Sequence, residues 1–304
     1  MAQVQRRWTR RQQRIESVLQ YIEAHNGEAV DVSALASMAS ISPFHFHRVF
    51  SSQVGEPVLA YIRRLRLEKA AFRILFMNSS VTEVAAQAAY SSPAAFTRAF
   101  RLHFGTTPRK FVRQVLGGRQ NDGQIANVMP LSGPEFRRLP ALDLLGVKRL
   151  GPYRRSPWEA WHALRGFLQG SAPGVGQWTR VGIPLDWPEL TPEPRLRYEA
   201  CVVSDLAPDG EFFRKQLPAG SYAVFRHQGP YQGLPSAHEW IFWHWLPDAG
   251  IRLRDAPAIH LYLDPDDRGT DPASLRTEIC IPVEMPQPAR AASRSDLSFA
   301  QAEW

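Results

Sequence analysis

In the first third of the chain, apolar positions recur at helical spacing. Ile15, Val18, Leu19 and Ile22 share one face, and Asn26-Gly27 supplies the stop. Asp31 and Ser33, both N-cap types, precede a short Ala/Leu helix, and Ser42-Pro43 pairs a cap with proline at the first helical turn. In the helix that follows, Phe46, Val49 and Phe50 fall on one face and should be core. Residues 57–76 form a longer apolar-basic helix. Leu59, Ile62, Ala70 and Ile74 track one face, and Arg63, Arg64, Lys69 and Arg73 fill the rest. Behind residue 134 the pattern changes to short apolar runs and isolated helices, which predicts an α+β domain.

The early pattern repeats. Residues 31–55 and 80–105 align at an offset of 50. Ala36 falls on Ala86, Ala39 on Ala89, Ser42-Pro43 on Ser92-Pro93, Phe46 on Phe96, Arg48 on Arg98, Phe50 on Phe100 and Gly55 on Gly105. Each unit reads as a helix-turn-helix, so one chain carries two. The helix between them, at about 1.5 Å per residue, makes a rod of roughly 30 Å. That is close to the spacing of about 34 Å between successive major-groove faces. Two readers at this spacing make double-stranded DNA the expected partner and require no palindromic site. Phe44, His45, His47 and Arg48 occupy the DNA-facing end of the first recognition helix. Ala94, Ala95, Thr97 and Arg98 occupy the second, with Arg109 and Lys110 just beyond. The small residues of the second copy predict weaker direct readout there, with more reliance on phosphate contacts and DNA shape.

Charge sharpens this division. Residues 1–119 carry 17 Lys+Arg against 7 Asp+Glu, and the remainder carries 19 against 22. A basic front joined to a near-neutral rear is the pattern of a polyanion-binding module attached to something else. Eight of nine tryptophans lie behind residue 120. The two cysteines, Cys201 and Cys280, suit a reducing compartment, and no apolar run approaches a bilayer-spanning length. A cytoplasmic protein with no membrane partner is expected.

A second, weaker repeat marks the rear. Gly151-Pro152-Tyr153 and Gly229-Pro230-Tyr231 each precede a Trp-bearing helix, and "RYEACV" (197–202) matches "RTEICI" (276–281). Two βαββ-like halves related by a pseudo-twofold follow, with Glu199 and Glu278 at equivalent places, each on one strand face with its cysteine. The division is then a basic extension (1–13), a tandem helix-turn-helix domain (14–113), a linker (114–133), the α+β domain (134–285) and a Pro/Ala/Ser-rich, disordered tail (286–304).

Residues 14–113 resemble the AraC/XylS transcription regulators, including the Gly55…Pro57…Tyr61 and Gly105…Pro108…Phe111 steps after each recognition helix. Residues 134–285 resemble the GyrI-like small-molecule-binding domain of Rob-like regulators, through "GSYAVFRHQGPY" (220–231), "WLPDAGI" (245–251), "YLDP" (262–265) and "TEICIPV" (277–283). The resemblance implies a sequence-specific regulator that meets RNA polymerase and binds a small-molecule effector in an aromatic pocket, a hydrophobic cation among the candidates. It implies Glu278 as the pocket's carboxylate, with Glu199, Tyr153, Trp161, Trp178, Tyr222, Trp240 and Tyr262 as further lining candidates. Ile259-His260 stands where relatives commonly carry an aromatic-Glu pair, which weakens the argument for a cation.

Rival classes are an enzyme and an interaction module that binds no ligand. No nucleophile elbow or phosphate-binding glycine loop occurs. "HEWIFWH" (238–244) sets its histidines six apart, on different helix faces, so it makes no zinc pair. No cofactor or metal is expected. A hydrolase activity of the GyrI-like kind is the alternative function.

Overall fold

The computed structural model describes residues 2–118, 131–172, 178–264 and 270–285, with side chains from residue 12 onward. The expected tail and most of the expected linker lie outside these residues. The front domain is all helical: α1 (Ala2–Ala24), α2 (Val32–Met38), α3 (Pro43–Val54), α4 (Val58–Phe76), α5 (Val81–Gln87), α6 (Pro93–Phe104) and α7 (Pro108–Gly118). The expected extension at 1–13 is continuous with the first helix, and α7 runs five residues beyond the expected boundary at 113.

Local chemistry sets the helix ends. The Asp31 carboxylate accepts from the Ser33 amide, and the Ser42 and Ser92 hydroxyls accept from the amides of His45 and Ala95. Gly55 and Gly105 close α3 and α6 in the left-handed region, at φ 82° and 74°. The repeat itself needs one correction. The recognition helices α3 and α6 do start 50 residues apart, but α2 and α5 start only 49 apart. Burial follows the shorter offset: Leu35, Ala36 and Ala39 correspond to Val84, Ala85 and Ala88, whereas Ala86 and Ala89 are exposed. The second turn holds the extra residue. Ser40 (φ 54°) and Ala89 (φ 57°) take the same left-handed step in the two turns.

The rear domain is built around one antiparallel sheet. Its strands are β1 (Leu131–Leu139), β2 (Leu142–Leu150), β3 (Arg180–Pro184), β4 (Arg197–Val203), β5 (Phe213–Leu217), β6 (Gly220–Gln228), β8 (Ile259–Tyr262) and β9 (Arg276–Glu284). A two-residue β7 (Arg252–Leu253) pairs with the end of β9. The spatial order β1-β6-β9-β8-β3-β4-β2-β5 is a palindrome about the β8–β3 contact. Each half is therefore ββαββ, one strand more than expected, and the halves exchange their first strands: β1 pairs with β6, and β5 with β2. Helix α8 (Ser156–Ser171) covers one half. The other is covered by α9 (Leu234–Trp240), which runs through a π-helical turn (Ile241–Trp245) into α10 (Leu246–Ala249).

The two faces of the sheet carry separate cores. Leu145, Val147, Tyr198, Ala200 and Val202 pack beneath α8, while Ala223, Phe225, Ile279, Ile281 and Val283 pack beneath α9. The opposite face buries Leu144, Val181, Cys201, Tyr222, Val224 and Cys280. Helices α1 and α4 of the front domain dock on this body through ion pairs and through Phe72, Phe76 and Met77, which join the α9 core.

Candidate DNA interface and effector cleft

The recognition helices present the expected residues outward. Phe46, Val49 and Phe50 are buried on α3, as are Phe96 and Phe100 on α6. Phe44 is 83% exposed, and His47 and Arg48 are exposed beside it. The Arg48 guanidinium reaches Nδ1 of half-buried His45 at 3.3 Å, so the two side chains form one polar surface. On α6, Ala94 and Arg98 are exposed, Ala95 and Thr97 half-buried; Arg109 and Lys110 are exposed at the start of α7. Spacer α4 has 19 residues, about 28 Å of helix. One of its arginines has a different role from the sequence expectation. Arg64 is buried between Glu56 (2.6 Å) and Glu68 (3.0 Å) and does not face solvent.

A cleft of about 1250 Å³, lined mainly by the rear domain, is roomy enough for a drug-sized molecule. Its floor comes from the sheet face under the helices. Tyr198 and Tyr262 share a hydroxyl–hydroxyl hydrogen bond of 2.8 Å, and the Trp161 indole N–H donates to the Tyr198 hydroxyl at 3.2 Å. Glycine at position 182 makes this possible, since a Cβ there would fall on the Tyr198 hydroxyl. Tyr153 and Tyr231, equivalent in the two halves, enter from the turns before α8 and α9. The Tyr153 hydroxyl donates to the Asp186 and Arg197 carbonyls. The Arg180 guanidinium lies over both the Trp161 and Tyr262 rings, at 5.8 and 5.6 Å.

Beside Tyr262 the departure at 259–260 acquires a meaning. His260 on β8 and His238 on α9 face each other in the cleft, Nε2 to Nε2 at 2.6 Å. Burial pushes His238 down to about 4. Burial, with His238 and His227 nearby, pushes His260 well below the usual histidine range. Both are neutral at pH 7, so one donates and the other accepts. The partner of His238 is thus a strand residue 22 positions away.

Of the eight residues expected to line the pocket, Tyr153, Trp161 and Tyr262 do so. The other five lie elsewhere, and the two-residue period of strands explains the carboxylates. Tyr198 and Ile279 point to the helix-covered face; their neighbours Glu199 and Glu278 therefore point to the opposite one, with Cys201 and Cys280. Glu278 is ion-paired there to Arg137 (2.5 Å) and Arg226 (3.5 Å). Glu199 is fully buried between Lys215 (2.5 Å) and Lys148 (3.5 Å). Tyr222 is fully buried on the same face under the Arg254 guanidinium, 5.0 Å away. Trp178 packs against the α8 core and Trp240 against the α9 core. Both cysteines are free and buried, and burial pushes their thiols up, Cys280 to about 12.

Sequence reasoning missed Tyr198, Trp187 and Phe242 as cleft residues. The adjacent Tyr198-Glu199 pair held the signal, because only one of two consecutive strand residues can face the helices. It also missed that Glu199 belongs to an ion cluster between domains. Lys148 binds Glu16 (2.9 Å) and Glu23 (3.1 Å) of α1 as well as Glu199. Burial alone would depress the Lys148 ammonium, but these three carboxylates outweigh it and hold it well above its ordinary range. Arg197 extends the cluster, binding Asp186 at 2.6 Å and Glu23 at 2.7 Å. Burial would raise the Glu23 carboxyl, yet Lys148 and Arg197 pull it down to about 2.

A paired helix-turn-helix reader joined to a ligand-sized aromatic cleft defines the class: an AraC-type DNA-binding transcription regulator with a small-molecule-binding domain. A helix-turn-helix domain model matches residues 35–114. The model of the GyrI-like small molecule binding domain matches residues 133–284, half of the chain, and the chain belongs to that family. It is similar to the right origin-binding protein of Escherichia coli strain K12, 25% identical over 287 residues, covering 88% of this chain and 97% of the relative. It is equally similar to the transcriptional regulator Rob of Salmonella typhimurium, 25% identical over 288 residues with the same coverage. Among solved structures, the cryo-EM structure of an EcmrR–DNA complex aligns over 84% of this chain and 99% of its own, at 18% identity and TM-score 0.45. No helix among the described residues is long and apolar enough to cross a membrane.

Proposed function

We propose that this regulator reads its promoter chiefly through α3, with Phe44, His45, His47 and Arg48 at the bases, while Ala94, Ala95, Thr97, Arg98, Arg109 and Lys110 mainly position it. We propose further that the cleft between α8 and α9 is its effector site. The observation that carries this reading is the cleft floor itself, where Tyr198, Tyr262, Trp161 and a neutral histidine pair converge in one chain with the two readers.

That floor favours a flat, largely apolar effector with a neutral polar group able to hydrogen-bond an imidazole. A cationic effector has less support than the family resemblance implied. Glu278 is on the other face of the sheet, and Arg180 already occupies the Trp161 and Tyr262 faces. RNA polymerase is the protein partner that a promoter-bound regulator implies.

Two titrations test the reading. Arg48→Ala should weaken binding to a duplex selected in vitro on this protein by roughly 10- to 100-fold, the worth of one bidentate base contact, with a much smaller loss on random DNA. Equal losses on both would remove the base-reading role. Thioflavin T, a flat aromatic cation, and 1-anilinonaphthalene-8-sulfonate, an aromatic anion, probe the cleft by their own fluorescence. Trp161→Leu and Tyr262→Leu should each abolish saturable dye binding; retention in both variants would place the site elsewhere.

A further inference from the structure

The cleft is walled by more than the effector domain. Lys69, Phe72 and Arg73 of α4, the helix that spaces the two DNA readers, also line it, with Met77 at its C-terminal cap. Phe72 stands in an aromatic cluster that crosses the domain boundary, with its ring 5.7 Å from Phe242 and 6.3 Å from Trp187. Both of those rings belong to the effector domain and line the cleft. Lys69, one turn before Phe72 (3.0 Å), and Arg73, the residue after it (2.6 Å), converge on Asp255, a residue of the cleft rim. Its side chain is half-exposed, and among the described residues its carboxylate bonds α4 alone. Burial would raise that carboxyl, but the Lys69 and Arg73 cations outweigh it and hold it below its usual range.

We infer that α4 completes the effector site. Phe72 touches the effector's apolar body, the Asp255 clamp fixes α4 against it, and effector occupancy is thereby transmitted directly to the helix that sets the reader spacing. The inference rests on the cleft being the effector site. Its physical basis is that a ligand held between two bodies necessarily discriminates between their arrangements, and any such discrimination appears as coupling. A rigid spacer leaves no slack: a tilt of α4 moves both recognition helices relative to successive grooves.

Linkage supplies the test, carried out on the full chain. Saturating thioflavin T or 1-anilinonaphthalene-8-sulfonate should change the dissociation constant of the in vitro-selected duplex by a factor in the usual allosteric range, roughly 5- to 150-fold. The duplex should change the dye's dissociation constant by the same factor. Asp255→Asn, at a half-exposed position where the fold is not at risk, and Phe72→Leu should both bring that factor toward one. If the dyes bind in a Trp161-dependent way but the factor is one in the unsubstituted chain, or is unchanged in both variants, the inference is overturned and the cleft reading stands. If dye binding is absent or does not depend on Trp161 and Tyr262, the cleft reading falls and the inference with it.

Discussion

Arg197 offers the sharpest test of how the two domains are held together. Its guanidinium is buried, bonds Asp186 through two nitrogens (2.6 and 2.9 Å) and Glu23 through the third (2.7 Å), and lies 3.4 Å from the Tyr61 hydroxyl. Replacing it with methionine keeps the length and apolar bulk but leaves Asp186 without its cation and Glu23 with Lys148 alone. Removing one partner of a buried ion pair typically costs about 3–5 kcal/mol, most of it the penalty of the orphaned charge. At roughly 2–4 °C per kcal/mol for a chain of this size, Arg197→Met should lower the effector-domain melting temperature by about 10 °C. Tryptophan fluorescence reports that domain selectively, since eight of the nine tryptophans lie in the rear of the chain. If the cost is uncompensated carboxylate charge, adding Glu23→Gln and Asp186→Asn should restore at least half of it. A loss under about 1 kcal/mol for the single variant, or further destabilisation in the triple variant, would refute the reasoning. The sign with pH follows from Glu23. Its folded value of about 2 lies below the ordinary 4.5, so the cluster's contribution is complete above about pH 4.5 and disappears as pH falls toward 2. Arg197→Met should flatten this acid limb.

The histidine pair predicts a second pH window. His238 sits at about 4 when folded against an ordinary 6.5, so the unfolded chain binds more protons and stability drops as pH falls from about 6.5 to 4. Replacing both His238 and His260 with leucine should shrink the fall in urea midpoint between pH 7 and pH 5; an undiminished fall would contradict the neutral pair. Gly182→Ala should force the Tyr198–Tyr262 pair apart and cut dye affinity at least about tenfold at near-native helix and sheet content, whereas Gly166→Ala, with open space around it, should not. Unchanged dye binding in Gly182→Ala would show that this pair is no part of the binding floor.

Much of this protein is legible in one dimension. The readers follow from local rules: Ser-Pro caps, left-handed glycines at 55 and 105, and a buried phenylalanine pair per unit (Phe46 and Phe50, Phe96 and Phe100), all satisfied within about 25 residues. The spacer follows too, since helix length depends only on residue count. What periodicity could not supply was parity and partnership. Alternation places Glu199 with Cys201 and Glu278 with Cys280, but it cannot say which sheet face the helices cover, and that choice put both carboxylates outside the cleft. Nor could local pattern find the exchanged first strands, or the Lys148–Glu23–Arg197 cluster, whose members come from positions up to 174 residues apart. The cleft shows the same limit most clearly. His238 and His260 are unremarkable on their own helix and strand, and Phe72 reads as an ordinary core residue of a DNA-binding domain. Helical and strand periods are short-range properties of the backbone, so the sequence alone determined two spaced DNA readers joined to a two-halved sensor domain. The cleft and its contacts with α4 depend on which distant faces bury each other, and only the tertiary packing decided that.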